Sequence, residues 1–185
     1  LYSNLSEFDS LLVIAKIGSA EADKIIERNK DLKLFRNNDL FYYKGYFLGM
    51  IAQCYMSENK YAEAIPLLLK DIAYSNENIG NKADKLIDLS ICYLNVGKIP
   101  LMKKLIDSAA ILIQKTEFKD IKNKLNKTKS AFFEITQKYD SALYYSKKYN
   151  EINDSMNSKI EKNQSILILT KFELEHRRNE LKLKN

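Results

Sequence analysis

The spacing Tyr55, Asn59, Tyr61, Ala64, Leu68 recurs as Tyr93, Gly97, Ile99, Met102, Ile106, and in weaker form as Phe133, Gln137, Tyr139, Ala142, Ser146. The copies lie 38 and 40 residues apart. These steps place a large side chain late in one helix, then a turn, then a crossing point inside a second helix, and a period of this size signals stacked helical hairpins. One hairpin cannot bury its apolar face alone, so the copies must pack on one another. The class this predicts is all-α, an α-solenoid of antiparallel helical hairpins.

The punctuation agrees. Only five Gly and two Pro occur in 185 residues, and neither type appears after Pro100, as suits a helical chain. Residues 1–153 divide into a degenerate hairpin over 1–37 and three repeats over 38–75, 80–114 and 117–153. In the first of these, a helix from Asn4 to Ile17 is broken at Gly18 and Ser19, and a second runs to about Phe35. Asn38 or Asp39 caps a helix to Met56, and Tyr61 to Ala73 is its partner, bent where Pro66 removes a backbone hydrogen bond. Lys82 to Val96 and Ile99 to Gln114 repeat the hairpin, with Gly97 at the stop and Pro100 in the first turn. Thr116 opens the next long helix, which ends near Gln137. Residues 154–185 form a long charged C-terminal helix, capped afresh at Asp154 and Ser155 after a short break, with a single helix continuous from Tyr139 as the alternative.

Thirty basic against 24 acidic residues give a net charge of +6. The acids are interspersed, so solubility accounts for the excess. Apolar runs such as Leu11 to Ala15 and Ile166 to Leu169 fall far short of the ~20 residues that a membrane-spanning helix needs. Leu1 opens the chain without an initiator methionine or a charged-then-apolar leader, so a segment of a longer protein is expected. Cys54 and Cys92 precede the recurring Tyr in successive copies and are expected as core positions, not as a disulfide, since equivalent positions on stacked helices lie roughly 8–10 Å apart.

The residues Tyr55, Tyr93 and Phe133, with Asn59, Gly97 and Gln137, Ala64 and Ala142, and Tyr61 and Tyr139, resemble the tetratricopeptide repeat family over about residues 40 to 150. Met102 departs from that pattern where the family has a small residue, and Ser146 where it has a large one. The repeats are also longer than the usual ~34 residues. Ala142, Leu143, Tyr145, Lys147, Lys148, Tyr149, then Asp154 and Ser155, then Lys171, Phe172, Glu173 and Glu175 resemble the end of the repeat array in bacterial membrane-linked signalling regulators. There the long helix leads to a membrane helix and a histidine kinase or helix-turn-helix output.

That resemblance implies a non-catalytic protein-interaction or sensory region, binding a peptide or protein partner, on the periplasmic side of a membrane-linked protein or else in the cytoplasm. Membrane contact would come only through segments outside this one. A free-standing scaffold or chaperone is the alternative, and an adaptor for nucleic acid the third reading. In the family the first helix of each repeat lines a groove; by that register the groove residues here are Tyr46, Met50 and Gln53, then Asp84, Asp88 and Ile91, then Lys124 and Lys127. Gly49 and Gln53 stand where the family's carboxylate clamp would need Lys or Asn, so that clamp is not expected.

No catalytic residues, metal site or cofactor is expected. His176 is the sole histidine, and it sits in a polar helical stretch. The glycines are scattered and make no phosphate loop. Lys119, Lys122, Lys124, Lys127 and Lys129 scatter around their helix with few aromatics between them, so direct nucleic-acid contact is not expected. Ile166, Leu167, Ile168 and Leu169 point four ways on a helix. With Phe172 and Leu174 they are candidates for a homodimer contact through the C-terminal helix.

Overall fold

The structure, a computed structural model, describes residues 2–28, 37–74, 78–114 and 118–183. Its side chains are described from Asp9 onward in the first helix and from Leu40 in the second, and at only part of the positions beyond Ile160. All secondary structure among the described residues is helical, in seven elements: α1 (Tyr2–Arg28), α2 (Asn37–Ser57), α3 (Tyr61–Tyr74), α4 (Ile79–Asn95), α5 (Ile99–Ile113), α6 (Lys119–Ile135) and α7 (Tyr139–Leu183). In chain order α2 packs on α3, α4 on α5 and α6 on α7. Successive pairs touch through α3 and α4, α5 and α6, and α4 and α6.

One turn geometry joins each pair. Asn59, Gly97 and Gln137 all carry positive φ, at 60°, 75° and 58°. At the first turn Glu58 N–H donates to Cys54 O, Asn59 N–H to Met56 O and Lys60 N–H to Tyr55 O; the same three bonds recur at Val96, Gly97 and Lys98 and at Thr136, Gln137 and Lys138. These satisfy carbonyls that a helix end would otherwise leave open, and the left-handed residue is what lets the chain reverse. Gly97 adopts that conformation without a Cβ penalty, whereas Asn59 and Gln137 adopt it as L-residues, a disfavoured choice.

Burial follows the recurring spacing. Ala64, Leu68 and Met102 are fully buried, Ile106 nearly so, and Ala142 sits at the crossing point of the third pair. Cys54, Cys92 and Phe132 occupy equivalent core sites. Neither cysteine is in a disulfide. Burial, with a smaller push from the Asp88 charge, raises the Cys92 thiol to about 12. The main core, around Ala83, Ile87, Met102, Ile106 and Leu125, joins α4, α5 and α6, and a second core around Ala52, Ala64, Leu68 and Leu89 joins α2 and α3 to α4. Each fully buried Leu, Ile or Met contributes about 1.5–3 kcal/mol.

Two expectations about helix continuity are corrected. Residues 2–28 do not make a hairpin: α1 is one helix that runs through Gly18 and Ser19. Gly18 serves contact and not a break, because a Cβ there would lie 2.4 Å from the Phe47 ring of α2. A glycine inside a helix costs only about 1 kcal/mol, which packing readily offsets. Asp154 and Ser155 begin no new helix: α7 runs unbroken for 45 residues, or about 68 Å. Smaller shifts occur at α4, which starts at Ile79 with Asn78 Oδ1 capping Asn81 N–H at 3.0 Å. Gly80 thus lies inside the helix and beside the Phe118 ring. The proposed second hairpin helix to Phe35 and the Thr116 start extend outside the described residues.

Candidate binding surfaces

Three helices carry the residues that the family register assigned to a groove: α2, α4 and α6. Asp84 and Asp88 lie one turn apart on α4, and Lys124 of α6 reaches between them. Its Nζ is 2.6 Å from Asp84 Oδ1 and 2.7 Å from Asp88 Oδ1. Asp88 is buried, while Asp84 and Lys124 are partly solvated. Three of the eight candidates therefore form one closed ionic cluster where α4 meets α6.

The electrostatics of this cluster are unequal. Burial raises the Asp88 carboxyl above its usual range; the Lys124 charge opposes that shift, and the Asp84 charge adds to it. Burial also works against the Lys124 ammonium, but the Asp88 and Asp84 charges outweigh it and hold the lysine above its usual range. Both shifts point upward for different reasons: at Lys124 two anions outweigh burial, whereas at Asp88 burial, helped by Asp84, outweighs the Lys124 and Lys85 charges. Asp88 Oδ2 accepts no hydrogen bond among the described residues.

A second buried pair extends the seam toward α2. Asp71 of α3 is 1% exposed, and Lys85 Nζ of α4 approaches its Oδ2 at 3.6 Å. Gly45 and Gly49 of α2 make the room: a Cβ on Gly49 would sit 2.2 Å from Asp71 Oδ2 and 3.0 Å from Lys85 Nζ. Farther along, Asn81 Nδ2 of α4 donates to the Tyr42 hydroxyl of α2 at 3.0 Å. Sequence reasoning did not single out Asp71 or Lys85. The signal was present, since Asp71 continues the buried row of Ala64 and Leu68 on α3, where an acid needs a partner.

The other candidates do not join the cluster. Tyr46 and Gln53 are exposed, and Met50 is half-buried. Ile91 packs against the main core. Lys127 turns to α7, its Nζ 5.8 Å from the Tyr149 ring centroid. On the distal part of α7, Ile166, Leu167, Leu169 and Leu174 are each more than half exposed. The side chains of Ile168 and Phe172 lie outside those described.

On another face of α6, a cleft of about 510 Å³ opens between the end of α5, α6 and the first part of α7. Three helical stripes meet in it: Ala110 and Ile113 of α5 with Gln114 at its C-cap, Lys122, Leu125, Asn126 and Lys129 of α6, and Tyr145, Lys148, Glu151 and Ile152 of α7. Lys129 Nζ stands 4.9 Å from the Tyr145 ring centroid, and Lys148 Nζ 4.6 Å from that of Tyr144. Tyr145 stacks on Phe133 at 5.5 Å with 5° between the ring planes. The basic stretch of α6 is therefore joined by aromatic rings, but they come from α7.

Among the described residues no group of three His, Cys, Asp or Glu side chains could hold a metal ion. No described helix is long and apolar enough to cross a membrane. The chain matches no protein-family model, and no curated protein is similar to it at a significant level.

Proposed function

We propose that this chain is the non-catalytic interaction or sensory region of a bacterial signalling or transcriptional regulator, built as a tetratricopeptide-like solenoid that binds a peptide or protein partner. The observation that carries this reading is the threefold recurrence of one turn, with the same three backbone hydrogen bonds and the same left-handed residue at Asn59, Gly97 and Gln137. Repetition of one hairpin unit is the physical basis of extended binding surfaces in helical repeat proteins. The link from such a surface to an output is α7, whose distal apolar residues are exposed on a long continuous helix. A second copy of the chain covers them in this reading, and a change in dimer geometry carries the signal.

Antibody raised against this segment and applied to fractionated source cells should detect, in the membrane fraction, a band much heavier than 21.5 kDa. A soluble band near that mass would replace the regulator with a free-standing scaffold. Light scattering at tens of micromolar tests the dimer separately, and a monomer there removes it.

A further inference from the structure

We infer that the cleft between α5, α6 and α7 is a binding site for an acidic, aliphatic-rich peptide segment. The inference deepens the reading of the chain as an interaction module and rests on it. It places recognition away from the α4 and α6 residues that the family register would assign, because Asp84, Asp88 and Lys124 are engaged with one another.

Charge comes first. Lys122, Lys129 and Lys148 line the cleft against one carboxylate, Glu151, leaving an excess of two positive charges. None of these three lysines has a carboxylate within salt-bridge distance among the described residues, unlike Lys44, Lys85 and Lys124. Two of them, Lys129 and Lys148, also lie over tyrosine rings, a contact that restrains each cation in part before an anion arrives.

The floor then selects among anions. It is aliphatic: Ala110 and Ile152 are half-buried in the lining, and Ile113 and Leu125, nearly closed off from solvent, belong to the core behind it. The volume lies within the ~300–1,000 Å³ of ordinary ligand pockets. The one aromatic ring in the lining, Tyr145, is already stacked on Phe133 and has the Lys129 ammonium over it. Single-stranded nucleic acid is held by free ring faces on which bases stack, and such faces are lacking here. A chain that offers carboxylates to the rim and branched aliphatic side chains to the floor matches both surfaces.

The test is a random peptide array probed with the full chain and with three variants, Lys129→Glu, Lys148→Glu and Lys122→Glu. The third touches no ring, and circular dichroism confirms the fold of each. Retained peptides should combine Asp or Glu with Leu, Ile or Val. Each reversal should weaken the best of them about tenfold or more, with binding falling as salt is raised. Retention of peptides without acidic residues overturns the inference, and so does an empty array. Equal binding by all three variants also overturns it while leaving the chain a binding module with its site elsewhere. A labelled single-stranded oligonucleotide bound in preference, and lost in the same variants, overturns it in favour of nucleic acid. Failure of the membrane-regulator reading is seen in the fractionation experiment and not in these arms.

Discussion

Lys124 and Lys129 lie on the same helix and end in opposite circumstances. Five residues of α-helix turn them about 140° apart. Lys124 meets two carboxylates of α4 at hydrogen-bond distance. Lys129 meets the ring of Tyr145 on α7 and no carboxylate among the described residues. A charge facing a counter-charge on a neighbouring helix joins helices, and a charge facing an open cleft is available to a partner. The basic run of α6 is thus two surfaces with two physical roles.

The largest expected effect breaks the structural side of that contrast. Lys124→Met leaves Asp84 and Asp88 near each other without their ion-pair partner, and urea unfolding should show a loss of about 3 kcal/mol, the low end for a broken buried pair because Lys124 and Asp84 are partly solvated. Next comes Gly49→Ala, which drives a methyl group into the Asp71 carboxylate and the Lys85 ammonium; about 2 kcal/mol should be lost by overpacking. A neutral result would mean that Asp71 does not occupy that space.

The pH dependence sharpens the comparison within the cluster. Asp88 holds its proton in the folded state to a higher pH than the 3.8 of an unperturbed aspartate. Its contribution is therefore most favourable in acid and declines as pH rises through the window above 3.8. Asp88→Asn removes that decline, so the variant should gain on the wild type across this window in urea melts at stepped pH. Lys124 works in the other direction: its folded value lies above 10.5, so its stabilisation is complete below 10.5 and fades as pH climbs beyond it. The smallest effect belongs to Lys129→Met, which should change stability by at most about 0.5–1 kcal/mol, the worth of an exposed cation–ring contact. A loss as large as that of Lys124→Met would erase the distinction between the two faces.

Much of the fold was legible along the chain. The three turns fell at Asn59, Gly97 and Gln137, and helix pairs formed around them. Gly18 misled because a helical glycine and a helix-breaking glycine look alike without the Phe47 ring that explains it. Asp154 and Ser155 misled because capping residues also occur inside helices, where neighbouring turns decide. The contacts of the groove candidates were less legible. The register assigns Asp84 and Asp88 to one repeat and Lys124 to the next without indicating their mutual pairing, and it does not show that Ile91 packs, half-buried, against the core.

The sequence by itself determined the helical class, the repeat period and the places where the chain reverses, because helix periodicity and turn chemistry depend on residues within a few positions of one another. Only the tertiary structure decided which charges are spent and which are left. Lys124 finds Asp84 forty residues away, and the α6 lysines find their tyrosines on α7. Coulomb attraction and desolvation depend on distance in space and on burial, and neither is written in the spacing of residues along the chain.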